Sequence, residues 1–152
     1  MRSPTKLAVL SLLALTTIPV CAAGFDTKIP DQQSIDALAT RANQAQPREQ
    51  CFLYAELVQQ MTEYSLRQYS AGNVDKASDL LKQIQQFTHK IHLSVGDDNK
   101  RLKNAEILLR QTAFRLKDML HASSFEDRPL VEQTLAQVNE AQTQAMLQVF
   151  RK

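Results

Sequence analysis

The sequence has few of the residues that tight turns and disulfide frameworks need. Among its 152 residues are three glycines, five prolines, two cysteines and no tryptophan. Sandwiches, barrels and Rossmann folds contain many tight turns, and three glycines are too few for them. Two cysteines exclude a disulfide-rich scaffold. No segment alternates apolar and polar residues in the way that predicts a half-buried strand. These absences leave a helical protein as the expected fold class.

The sequence also lacks the short motifs that mark common reactions and cofactors. It contains no Walker loop, no G-x-S-x-G elbow, no H-E-x-x-H pair and no G-x-G-x-x-G turn. The absence of C-x-x-C-H excludes the usual attachment of c-type haem. Hydrophobic residues at 43% and charged residues at 22% are ordinary globular values. We therefore expect a folded protein that is not an enzyme and has no cofactor.

Residues 1–23 have the layout of a secretory signal peptide. Two cations, Arg2 and Lys6, precede an apolar run of about 14 residues, and small residues precede Gly24. The run is shorter than the ~20 residues that cross a bilayer. We expect cleavage after Ala23 and export by a Sec-type route to a periplasm or to the outside medium. A lipid anchor on Cys21 is the second and weaker interpretation, because the residues before it match the bacterial lipobox only loosely.

Cleavage changes both the charge and the cysteine count. Loss of Arg2 and Lys6 lowers Lys+Arg from 18 to 16, which equals the 16 Asp+Glu of the chain. With no basic excess, nucleic acid is not an expected partner. Cys51 becomes the only cysteine, so an intramolecular disulfide is impossible. An unpaired cysteine in an exported protein predicts a buried thiol, an intermolecular disulfide or a reactive thiol.

After an extended leader at residues 24–30, nearly the whole chain has the apolar spacing of helices. Start and stop signals at Pro47, Gly72, Gly96 and Asp127 divide it into one short helix and four long ones. In the long helices, apolar residues alternate steps of three and four, which is typical of helices packed at shallow angles. Short linkers favour antiparallel neighbours. The sequence predicts an all-α fold: a single domain at residues 31–152, in which two helical hairpins form an antiparallel bundle with a shorter N-terminal helix.

The same signals and spacing predict individual turns and core residues. Asp31 or Ser34 caps the first helix, and Pro47 either starts the second helix or kinks a longer one. Gly72 has a positive φ at the end of the second helix. The turn over residues 69–77 resembles the helix–turn–helix join of a tetratricopeptide repeat, which implies a helical hairpin there. The residues expected to be buried against one another are Leu81, Ile84, Ile91, Leu109, Leu116, Leu135 and Val138.

Three groups of side chains are candidates for function. His89 and His92 are three residues apart on the third helix, so their imidazoles could share a metal ion. Cys51 could form an intermolecular disulfide. A basic stripe that recurs every seven residues on the fourth helix could meet an acidic partner or, transiently, anionic lipid headgroups; it contains Lys103, Arg110 and Lys117. The plain alternatives are solvated histidines, a buried thiol and a solvated helix face.

Apolar residues on more than one face of a helix point to association. The second helix has Leu53, Leu57 and Val58 beside its seam, and the fourth has Ile107 and Phe114. A bundle helix needs one broad apolar stripe, so the surplus must be covered by the N-terminal helix or by another molecule. We expect an exported, non-enzymatic protein that acts by binding a protein partner or a second copy. A small metal- or cofactor-binding bundle of the cell envelope is the alternative.

Overall fold

The computed structural model describes residues 29–94 and 99–151, and helices account for nearly all of these residues. No strand occurs in these two ranges, so the predicted all-α fold is confirmed. Within them, no helix is both long and apolar enough to cross a membrane. The expected signal peptide, most of the leader and the stop signal at Gly96 lie outside the described residues. The helices are α1 (Gln32–Gln44), α2 (Pro47–Ser70), α3 (Val74–Ser94), α4 (Asn99–Ala122) and α5 (Arg128–Val149).

The first helix begins with a reciprocal cap. The Ser34 backbone N–H donates to Asp31 Oδ1 at 2.7 Å, and the Asp31 backbone N–H donates to Ser34 Oγ at 3.0 Å. Both expected capping residues are therefore used, because each satisfies a donor that the first turn leaves without a helical acceptor. Pro47 occupies the first turn of α2, after an extended Gln46. It starts a helix there and does not kink a longer one, since its missing N–H is unused in a first turn.

The turn between α2 and α3 is a Schellman motif built on Gly72. Its φ is +82°, as predicted. The Gly72 N–H donates to the Tyr69 carbonyl at 3.0 Å, and the Asn73 N–H donates to the Gln68 carbonyl at 2.9 Å. These two bonds satisfy carbonyls at the end of α2 and reverse the chain within three residues. The hairpin of α2 and α3 follows from that reversal.

The two hairpins lie side by side, with α2 next to α4 and α3 next to α5. Ion pairs of Glu49 with Arg101 and of Glu63 with Arg115 connect α2 to α4. The residues of both pairs are 52 positions apart, so α2 and α4 run parallel. Within the first hairpin, Ser65 donates to the Ala77 carbonyl at 3.0 Å. The fold is thus a pair of antiparallel hairpins whose equivalent helices are adjacent.

The short helix α1 packs antiparallel along α2. Tyr54 Oη donates to Asn43 Oδ1 at 3.0 Å, and Arg67 at the other end of α2 donates to the Pro30 carbonyl. Contact with α1, α3 and α4 explains why α2 is apolar on several sides. Leu57 is fully buried within the single chain. The apolar surplus predicted on the second helix is therefore covered by the chain itself.

The predicted core is confirmed on α3 and α4 and is wrong in one place on α5. Six of the seven predicted core residues are buried, whereas Leu135 is only half-buried. The buried face of α5 contains Thr134 and Ala141 where the spacing favoured Leu135 and Gln142. Thr134 Oγ1 donates to the Leu130 carbonyl at 2.8 Å and accepts from Gln85 Nε2 at 2.9 Å, so its hydroxyl is satisfied in the core.

Replacing Leu109 by Ala tests the packing of the two hairpins. Leu109 is fully buried, so we expect the free energy of unfolding to fall by about 2–5 kcal/mol, because a cavity adds to the lost transfer energy. Leu147→Ala is the matched control, since Leu147 is 59% exposed and its truncation should change stability by less than about 0.5 kcal/mol. Urea unfolding followed by circular dichroism measures both. Equal costs at the two positions would contradict the arrangement.

Replacing Gly72 by Val tests the turn between α2 and α3. A Cβ at Gly72 would meet nothing within 4 Å, so the expected cost comes from the left-handed backbone alone. We expect a loss of about 1 kcal/mol or more for Val, and a smaller loss for Gly72→Asn, because asparagine tolerates this conformation. Thermal unfolding of the two variants gives the comparison. Equal stability of Val, Asn and wild-type proteins would show that the turn does not need a positive φ.

Candidate functional site on the outer face of helix α4

The outer face of α4 presents a line of residues that no other helix of the described chain covers. The inner face of α4 buries Leu102, Ala105, Leu109 and Leu116. At about 100° per residue, a second line of side chains points to the opposite side. We call this line the α4 ridge; it consists of Lys100, Lys103, Ile107, Arg110, Gln111, Phe114, Asp118 and His121.

Phe114 is the exposed aromatic residue at the middle of the α4 ridge. It is 62% exposed, whereas Ile107, two turns earlier, is half-buried. A shallow depression around the phenyl ring is lined by Gln59, Arg110 and Arg115. Phe114 lies well inside a 24-residue helix, so its exposure does not arise from a frayed end. Together with Ile107 it forms an apolar patch bordered by charged residues, and a polar-rimmed apolar patch is typical of an interaction surface.

A groove lined by α2 and α4 runs beside the ridge. Its floor contains the half-buried side chains of Phe52 and Leu108, and its sides carry amides, including those of Gln60 and Asn104. The ion pairs of Glu49 with Arg101 and Glu63 with Arg115 hold α4 against α2 along this groove. An apolar floor with polar sides suits a docked side chain or helix.

Glu56 has an unusual position at the wall of this groove. Within the described residues its Oε2 atom is buried and accepts no hydrogen bond. Arg41 Nη2 on α1 lies 3.6 Å away, which is within ion-pair distance but beyond a hydrogen bond. Sequence reasoning did not single out Glu56.

The basic stripe lies along the same side of α4. Lys103, Arg110 and Lys117 are all exposed, and Lys103 and Arg110 also belong to the α4 ridge. Arg110 Nε is 4.0 Å from Glu106 Oε1, and that same oxygen accepts from Gln142 Nε2 at 2.9 Å. The structure therefore places the stripe on the surface, and its role in binding stays a prediction.

The structure places Cys51, for which the sequence left three states open, in the hydrophobic core of the bundle. Cys51 is only 4% exposed there. Burial also raises the pKa of the Cys51 thiol from 9.0 to about 11, because the thiolate would lose its hydration. A buried, protonated thiol is neither reachable nor nucleophilic. Of the three states left open by the sequence, the structure favours the buried thiol.

The predicted histidine pair is only partly described. His89 is exposed on α3 and lines a polar groove with Gln137 and Glu140 of α5. The side chain of His92 lies outside the described part of the chain. His121 is exposed on α4, at the end of the ridge. Among the residues that the structure describes, no three His, Cys, Asp or Glu side chains are grouped to hold a metal ion.

Comparison with known proteins gives no match to a family model, to a curated protein or to a solved structure. The surface of this chain is therefore the basis for inferring its function. Its most specific features are the exposed Phe114, the cations beside it and the adjoining groove of α2 and α4.

The burial of Cys51 predicts how stability changes with pH. In the unfolded chain the thiol loses its proton near pH 9.0, but in the folded protein it does so near pH 11. The folded state therefore binds the proton more tightly, and its advantage is complete below pH 9 and decreases as the pH rises toward 11. Between these values, we expect the free energy of unfolding to decrease by about 1.4 kcal/mol per pH unit from this group.

The measurement compares wild-type protein with Cys51→Ala in urea between pH 8 and pH 11. Other groups titrate in both proteins, so the difference between the two slopes isolates Cys51. Identical slopes, or fast reaction of the native protein with a thiol reagent at pH 8, would contradict the buried thiol.

Proposed function

We propose that the mature chain is an exported, non-enzymatic helical-bundle protein that acts by binding a protein partner, or a second copy of itself, through the α4 ridge. The observation that carries this proposal is the 62% exposure of Phe114 inside a regular helix. The other exposed aromatic residues of the described chain lie outside the helices: Phe125 in the turn before α5, and Phe150 just after α5.

The composition of the ridge supports a protein partner. Aromatic residues and arginine are enriched at the centres of protein interfaces, where burial of the ring supplies most of the binding energy. Phe114 has Arg110 one turn before it and Arg115 beside it. Arg115 is already held by Glu63 at 2.8 Å, so this part of the surface is ordered before any partner binds. A preorganised surface loses less side-chain entropy on binding.

The layout of residues 1–23 supports export. A cationic start, an apolar run of about 14 residues and small residues before Gly24 fit a cleaved secretory signal. In an exported protein without a catalytic motif, an uncovered apolar line on a regular helix suits binding rather than catalysis. The basic stripe would add attraction for an acidic surface, either on a protein or, transiently, at a membrane.

A photo-crosslinking residue in place of Phe114 tests the proposal in the exporting cell. We expect a discrete cross-linked product, because the ring position is buried in the complex. The same residue in place of Phe125, which is 90% exposed in a turn, is the matched control and should give no discrete product. Phe114→Glu should also abolish any complex without changing the circular dichroism of the protein. Equal yields at the two positions would contradict the assignment of the ridge.

A further inference from the structure

We infer that the partner of the α4 ridge is a second copy of this chain, with the two α4 helices antiparallel about a two-fold axis between Arg110 and Gln111. This inference rests on the proposed function of the ridge and specifies its partner. Two properties of the ridge support it: the mirror symmetry of its spacing and the complementary charges that the symmetry brings together.

The spacing of the ridge is the same in both directions from its midpoint. Arg110 and Gln111 lie at the centre, Ile107 and Phe114 come next, and Lys103 and Asp118 follow. In an isologous dimer each residue meets the residue at the mirrored position of the other copy. An antiparallel pair of α4 helices therefore aligns the whole ridge, which is about 30 Å long at 1.5 Å per residue.

The centre of this pairing is apolar. Ile107 of one copy meets Phe114 of the other, and the symmetry repeats the contact. Four apolar side chains thus cover one another, including the 62%-exposed phenyl ring of each copy. The chain by itself offers no helix in the described ranges that covers Phe114. A second copy would cover Phe114 on α4 in the same way that α1 covers one side of α2.

The flanks of this pairing are charged and complementary. Lys103 of one copy meets Asp118 of the other on both sides of the apolar centre. Asp118 is half-exposed and lies 4.0 Å from Arg115, so it remains accessible to a second cation. The opposite, parallel arrangement would place Lys103 against Lys103 and Asp118 against Asp118. Charge therefore selects the antiparallel direction.

One contact of the dimer opposes it. The two Arg110 side chains lie on the same side of the contact, close to the axis. Each has Glu106 of its own chain at 4.0 Å, which offsets part of their repulsion. The mature chain has equal numbers of acidic and basic residues, so the copies have little long-range repulsion. A single-helix contact is small, and we expect a weak, reversible dimer.

Cysteine cross-linking tests the position of the axis. The two Gln111 side chains lie on the same side of the contact, next to the axis, so Gln111→Cys should form a disulfide-linked dimer under mild oxidation. Gln133→Cys is the matched control, since Gln133 is equally exposed on α5 but lies away from the ridge. The native Cys51 is buried in both variants and does not compete. Equal linking of the two variants would overturn the inference.

Charge reversal in the Gln111→Cys background tests the direction of the helices. Lys103→Asp should reduce the linked fraction about tenfold, because it places like charges together twice in each dimer. Adding Asp118→Lys should restore linking. Both changes favour the dipole of α4, so neither should unfold it. Failure of the double change to restore linking would overturn the antiparallel arrangement.

The outcomes separate this inference from the proposed function. If Gln111→Cys does not link preferentially but the photo-crosslinker at position 114 captures a different protein, the ridge binds a partner and the second copy is wrong. If position 114 gives no product at all, both the ridge and the dimer are wrong.

Discussion

Helix α2 buries apolar side chains on three sides, and the positions of the other helices follow from that requirement. Its buried apolar residues include Leu53, Leu57, Val58 and Met61. The chain supplies α1, α3 and α4 as the three neighbours. Since burial of each large side chain stabilises the fold by about 1.5–3 kcal/mol, leaving any side of α2 open would be costly.

Helix α4, unlike α2, has apolar side chains on a side that no described helix covers. Its neighbours are α2 on one side and α5 on the other, and its outer side has none among the described helices. Ile107 and Phe114 occupy that side, between Lys103 and Asp118. Because α1 covers α2 but no described helix covers this side of α4, another molecule can complete the burial there. The proposed function and the dimer both start from this difference between two otherwise equivalent helices.

Sequence reasoning predicted the helices and most of the core because the apolar spacing of α3 and α4 fits one register. On α5 it failed at Leu135, since spacing by three and four fits two adjacent registers and a hydrogen-bonded Thr134 decided between them. Phe114 could be identified from its face of the helix. For Cys51 the sequence left three states open, and the packing of α2 decided in favour of the buried thiol. The inferred pairing of Lys103 in one copy with Asp118 in another depends on the structure, which places both residues on the exposed face of α4.

Light scattering of residues 24–152 over a range of concentrations tests the uncovered face of α4 most directly. We expect the molar mass of a dimer at high micromolar concentration and that of a monomer on dilution. Reductant should change neither value, because Cys51 is buried and takes no part. A monomer at every concentration would contradict the dimer, and a dimer that reductant dissociates would contradict both the buried thiol and the contact through α4.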